Sequence, residues 1–287
     1  MLDKWIGWRY SKITMNRLPI EKRIAIVGML SEGMSLRDIS RLADVSINTV
    51  TKLLVDIGTA CQEYQDAAFR NLSCQRLQCD EIWSFVYAKE KNVPLEKLGT
   101  FGVGDVWTWV AIDADTKLVP CWHHGRRDAI AAHQFISDLA SRLKNRAQLT
   151  TDGHRPYLQA IEGVFGCEID YAMLIKLYGN PPDDRRYSPG ECIACEPKAI
   201  TGDPDPNHIS TSFIERQNLT MRMSMRRFTR LTNGFSKKLE NLRHAVSLHY
   251  MVYNFARIHK TLRTSPAQAA GITDKLWNIE DVVGLLN

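Results

Sequence analysis

The acidic side chains that could serve a phosphodiester-processing site are few and far apart. Asp80 stands within LQCDEIWSFVYA, among Leu77, Cys79, Ile82, Trp83 and Phe85. A carboxylate in so apolar a strand is costly unless it meets a cation or a hydrogen-bonding partner. Asp152 closes a short run and precedes Gly153, where backbone can come close to a ligand. Glu215 opens a helical stretch just ahead of a run of cations. Asp113 and Asp115 sit where a turn is predicted and read as turn chemistry. Glu191 and Glu196 compete for the third place, but both lie in loop-like sequence. Oxygen donors suit hard divalent ions. Three carboxylates from distant elements can hold two Mg²⁺ or Mn²⁺ ions about 3.5–4 Å apart, clamping the attacking and leaving oxygens of a phosphodiester.

Cations follow the third acid. Residues 216–243 carry Arg216, Arg222, Arg226, Arg227, Arg230, Lys237, Lys238 and Arg243 against one acid, Glu240. Such a stripe suits a polyanion, nucleic acid first, although a charge run is also what a solvated helix face looks like. Glu215 and Arg222 are seven residues apart, two helical turns along one face, so an acid and a phosphate-facing cation share a surface.

The N-terminal segment has the pattern of a DNA reader. Ile24, Val27 and Leu30 share one helical face, and Gly33 closes that segment. Ser35 is placed to cap a second helix with Leu36, Ile39 and Leu42 inward. Asp44 falls where a tight turn needs a left-handed residue. Ser46 then caps a third helix with Val50, Leu53 and Leu54 inward. Two short helices about a tight turn make a helix-turn-helix, whose second helix enters the major groove of duplex DNA. Ser46, Asn48, Thr49 and Lys52 would face that groove. A connector helix is predicted to follow, over 61–76.

Those residues must be positioned by a larger α/β unit. Strands are predicted at 77–88, 106–115, 117–125, 147–153 and 168–179, with helices at 127–144 and 155–166. In the first of these helices Ile130, Phe135, Ile136, Leu139 and Leu143 face one side. Residues 179–210 read as a long inserted loop, and helices resume at 211–230 and 236–258. The order gives a mixed sheet flanked by helices. The chain has 287 residues, 44% hydrophobic and 24% charged, with a net charge of +5. That excludes a disordered, collagenous or coiled-coil chain. No run of about 20 apolar residues could span a bilayer, and the N-terminus lacks an apolar signal core. A cytoplasmic protein with reduced cysteines is expected, with no membrane partner. Cys192 and Cys195 form a lone C-x-x-C, half a zinc site that would need His208 with Cys74 or Cys79. Trp83, Trp107, Trp109 and Trp122 sit in strands and read as core.

DEIWSF at Asp80, TDGHR around Asp152 and SFIERQNLTMR around Glu215 resemble the three acidic motifs of DDE transposases, with the insertion-sequence-one family the nearest pattern. YNFARIHKTLRTSP, from Tyr253 to Pro266, is similar to a tail common after DDE cores. The resemblance spans about residues 20–270. It implies an RNase H-like core, with Asp80, Asp152 and Glu215 as catalytic residues that ligate two Mg²⁺ or Mn²⁺ ions. It also implies DNA strand cleavage and transfer, double-stranded DNA as partner (element ends and target), and a homodimer or larger assembly. His154, Arg216, Asn218, Arg222, Arg226 and Arg227 would then join the helix-turn-helix residues in holding DNA. The expected division is 1–60 helix-turn-helix domain, 61–76 connector, 77–270 catalytic core with an insertion at 179–210, and 271–287 tail. Two departures stand out. Many relatives carry a cysteine-rich zinc module before the helix-turn-helix, and residues 1–60 supply none. The 63 residues from Asp152 to Glu215 need the insertion. The rival reading is a helix-turn-helix transcription regulator with a silent core; a nuclease that cuts without joining is a third.

Overall fold

A computed structural model of the chain describes residues 17–179, 192–229 and 233–286. Three helices come first: α1 (Ile20–Ser31), α2 (Leu36–Ala43) and α3 (Ile47–Ala68). Ser35 and Ser46 cap α2 and α3, their hydroxyls accepting the N–H groups of Asp38 and Thr49 at 3.1 Å. Asp44 adopts the left-handed turn between them, φ 49°, as the sequence required. The inward face differs in detail. Ile26 and Val27 are buried in α1, while Leu42 is 67% exposed and does not join Ile39 in the core. The separate connector predicted over 61–76 does not form. Helix α3 runs unbroken for 22 residues to Ala68, and the first strand has begun by residue 76.

The sheet is built from β1 (Arg76–Val86), β2 (Gly104–Asp113), β3 (Trp122–Gly125), β4 (Gln148–Asp152), β5 (Asp170–Tyr178) and β6 (Cys192–Thr201). Its order is β3-β2-β1-β4-β5-β6. The first three strands form an antiparallel meander, β4 and β5 run parallel to β1, and β6 returns antiparallel to β5. This is the RNase H-like arrangement. α4 (Ala129–Arg142) and α5 (Pro156–Phe165) link β3, β4 and β5; α6 (Ser212–Ser224) and α7 (Leu239–Met251) follow the sheet, and short α8 (Pro266–Ala269) and α9 (Ile279–Gly284) end the chain.

Four elements depart from the sequence pattern. Residues 117–121 are not strand. Pro120 cannot donate to a ladder, and the side chain of Asn254 takes both polar groups of Val119, accepting its N–H and donating to its carbonyl at 3.0 Å. Residues 192–201, read as loop, form β6. Every residue from Cys192 to Ile200 is exposed, so no alternation of apolar and polar side chains marks it. Backbone pairing to β5 holds it, and Pro197 is tolerated because the strand is an edge. Helices predicted to 230 and 258 end earlier, at Ser224 and Met251; the second continues as a wide π-turn over Val252–Ala256. Ile130, in the first turn of α4, is 71% exposed, unlike Phe135, Ile136 and Leu139 behind it.

One apolar core runs from Ile26 in α1 through Leu54 in α3 and Trp109 in β2 to Val246 in α7. The helix-turn-helix is thus fused to the α/β unit by the body of α3 lying against α7. That contact depends on Gly58. A Cβ there would lie 2.6 Å from the His244 Cα and 2.7 Å from its carbonyl oxygen.

Candidate active site

Asp80 and Asp152 are brought together by register. Cys79 of β1 pairs with Thr151 of β4, so the next residue on each strand is one of the two acids. Alternation along β1 then sends neighbouring side chains to opposite faces. Gln78 and Asp80 face α6. The Gln78 side-chain carbonyl accepts the N–H groups of Phe213 and Ile214 at 2.9 and 3.1 Å, which caps α6 from the sheet. Asp80 accepts a hydrogen bond from the Asn218 amide at 2.8 Å and from the N–H of Glu81 at 2.8 Å. The middle strand of the sheet therefore anchors the helix that carries the third acid.

Glu81 faces the other way and is fully buried. The Nε of Arg127 donates to it at 2.6 Å and the Tyr157 hydroxyl at 3.2 Å. Arg127 also approaches Asp152 to 3.8 Å and lies 4.9 Å from the centre of the Trp107 ring. Oxygens of Asp80, Glu81 and Asp152 all lie within 4.8 Å of one another, a grouping able to hold a metal ion. Sequence reasoning passed over Glu81, although it is as anomalous in the apolar strand as Asp80. Arg127 gave no signal, since it precedes a helix cap in an ordinary way.

Glu215 lies in the first turn of α6 and lines the same cavity as Asp80 and Asp152, a space of about 570 Å³ that also takes in Arg127, His154 and Lys176. It is not among the three closest acids. Its carboxylate is ion-paired with Lys176 of β5 and accepts the Thr211 hydroxyl.

The electrostatics follow from this crowding. Burial, then the charges of Glu81 and Asp152, raise the Asp80 carboxyl to about 7. Burial and the charge of Asp152 raise Glu81 as well, against the pull of Arg127. His154 lies at ring-contact distance from Trp109 and Tyr157; burial and Arg127 hold its imidazole below the usual range. The backbone N–H of His154 donates to the Asp152 carboxylate at 2.9 Å, bending the chain after β4. Crowded carboxylates, with oxygen donors only, form the donor set a hard divalent cation fits.

The residues expected to hold DNA fall in different places. Ser46, Asn48 and Lys52 are exposed at the start of α3, with Thr49 half-buried. Lys52 pairs with Asp56 at 2.6 Å. Arg216 and Arg226 are exposed and Arg222 is half-buried. Asn218 is 3% exposed and bound to Asp80, so it positions a carboxylate instead of meeting solvent. Arg227 turns inward to Ser236 at 2.8 Å, and burial lowers its guanidinium to about 10. The stripe from 216 to 243 is therefore split among a helix, a turn and a second helix. Arg230 and Glu191 lie outside the described residues. Cys192 and Cys195 approach to 3.7 Å on exposed β6, while Cys74, just before β1, and Cys79, within it, are buried and His208 contacts Arg76 and Asp205. Among the described residues, no metal-binding group includes them.

Residues 102–174 match a family model described as a DDE domain. The segment runs from the approach to β2 to the middle of β5 and contains Asp152, with Asp80 and Glu215 outside it. Over that segment the match supports the DDE resemblance, and it does not single out the insertion-sequence-one group. A comparison with curated proteins finds no match. Among solved structures the chain is similar to a piggyBac transposase synaptic complex with hairpin DNA, at 10% identity and a TM-score of 0.42, covering 93% of this chain and 69% of that one. It is also similar to a Mos1 transposase paired-end complex with the left transposon end, at 13% identity and a TM-score of 0.23, covering 59% and 61%. No helix of the described residues is long and apolar enough to cross a membrane.

Proposed function

We propose that the chain is a DDE transposase that cuts DNA strands at the ends of an insertion element and joins them to a target, using two Mg²⁺ or Mn²⁺ ions held by Asp80, Asp152 and Glu215. The observation that carries the reading is the convergence of these acids, from β1, β4 and α6, on one cavity. The DDE-domain match supports it. When bound, the ions supply Lewis-acid stabilisation of the attacking and leaving oxygens.

The chain's own residues do the rest. Asn218 and the Glu81 N–H fix the Asp80 carboxylate. The His154 N–H fixes Asp152. Glu81 binds the Nε of Arg127, whose side chain stays 41% exposed and lines the cavity, where a phosphate oxygen can meet it. Lys176 is the second cation at the rim and can exchange Glu215 for the DNA backbone. The helix-turn-helix reads the duplex through Ser46, Asn48, Thr49 and Lys52, and two or more copies hold the paired ends.

The test is a nicking and joining assay on labelled duplexes carrying the terminal repeats that flank the gene. Products are expected with Mg²⁺ or Mn²⁺ and none in EDTA. A duplex that binds and is never cut with any divalent cation would favour the regulator reading.

Proton competition gives a second expectation. A metal must displace the Asp80 proton, so apparent Mn²⁺ affinity should fall about tenfold per pH unit below 7. Asp80 is an acid whose folded value, about 7, lies above its ordinary 3.8. Its contribution to the metal-free fold is therefore full at pH below 4 and lost as pH rises through 7. Mn²⁺ titrations of the full chain between pH 5.5 and 8, read by thermal shift, test this. A flat profile removes Asp80 from the metal site.

A further inference from the structure

A second cavity, of about 500 Å³, lies between the helix-turn-helix and the segment that joins α6 to α7. Its charged lining is of one sign: Arg37 from α2, and Arg226, Arg227 and Lys237 from the joining segment. Arg37, Arg226 and Lys237 are exposed. Two helix starts open onto it as well. Leu36 and Arg37 are the first residues of α2, and Ile47 and Asn48 the first of α3, and all four line the space. The first N–H groups of a helix have no acceptor within it, and both helices present the positive ends of their dipoles here. Asp38, in the first turn of α2, is engaged by Ser35 and Arg41 and also feels the charge of Arg226.

The two walls are held in fixed relation. Gly33, in the left-handed region at φ 74°, lets the turn before α2 press against the Ser224 carbonyl at the end of α6; a Cβ there would strike that oxygen. The joining segment therefore starts from a helix end already in contact with the helix-turn-helix.

The geometry points to a phosphodiester-binding cleft in which the helix-turn-helix and the catalytic unit grip one strand of the same duplex backbone. This rests on the DNA-processing reading above and adds to it. Arg37 and Lys237, far apart in sequence, meet neighbouring phosphates of a single duplex, and the groove-reading start of α3 is one wall of that cleft. Two helix N-termini and same-sign side chains from both walls make an anion site without base specificity.

The test uses a fluorescein-labelled 30-base-pair duplex of mixed sequence, the full chain, and anisotropy over a range of salt. Arg37→Ala with Lys237→Ala is compared with Lys198→Ala on exposed β6. Each lost phosphate contact lowers the slope of log K against log salt by about 0.9. The double variant should lose close to two such units and bind at least tenfold more weakly at moderate salt, with an unchanged melting temperature. Lys198→Ala should match the parent. An unchanged slope in a double variant that still binds overturns the cleft and leaves the DNA reading standing. A parent chain that binds no duplex at all overturns both.

Discussion

Asp80→Asn is expected to lower strand cleavage about a thousandfold, the rate equivalent of the several kcal/mol that metal-ion charge stabilisation provides, while duplex affinity is unchanged. The substitution keeps shape and keeps one oxygen, which can accept from Asn218 while the bond from the Glu81 N–H is given up. It removes a charge that the site holds only at a cost, since burial and the carboxylates of Glu81 and Asp152 all oppose ionisation of Asp80. The metal-free variant should therefore melt at or above the temperature of the parent at pH 8, and gain less from added Mn²⁺. That pairing of lost chemistry with retained or improved stability separates a metal ligand from a structural acid. Cleavage at the parental rate by a folded Asp80→Asn chain would remove the two-metal assignment.

Gly58→Ala is expected to be strongly destabilising for a single added methyl. Alanine normally favours a helix interior over glycine by about 1 kcal/mol, and Gly163 of α5, with nothing within 4 Å of a built Cβ, should show that gain. At Gly58 the new methyl meets the backbone of α7 at His244, so the helices must part. Overpacking of this kind costs about 1–3 kcal/mol or more, and a chain of this size loses about 2–4 °C per kcal/mol. A drop of about 5–10 °C is expected for Gly58→Ala against a rise for Gly163→Ala, read by differential scanning calorimetry. Equal melting temperatures for the two variants would mean that α3 and α7 do not meet as described.

What could be read from the sequence was what is written locally. The caps at Ser35 and Ser46, the left-handed Asp44 and the strand and helix periods around Trp109 and Phe135 follow from short-range rules. Asp80 betrayed itself by its apolar neighbours. What escaped depends on contacts between distant residues. Asn218 looked like one more polar residue ahead of a basic run, and only packing of α6 on β1 turns it toward Asp80. Gln78 caps a helix 135 positions later. β6 has no apolar face, because it is held by hydrogen bonds to β5 and little else. The late start of the third strand is decided by Asn254, far down the chain. The assignment of Glu215 over Glu81 as the third ligand rests on the family motif, since the free-standing geometry places Glu81 nearer.

On the proposed reading of the chain as a DNA transposase, helix α3 has a consequence for how a bound duplex is aligned. Its 22 residues make a rod of about 33 Å, with the groove-reading end at one tip and the rest embedded alongside α7. No joint separates the reading head from the chemistry, so the angle between duplex axis and acid cavity is set when the chain folds. Any realignment between cutting and joining then falls to the bending of the DNA or to a shift of one copy against another.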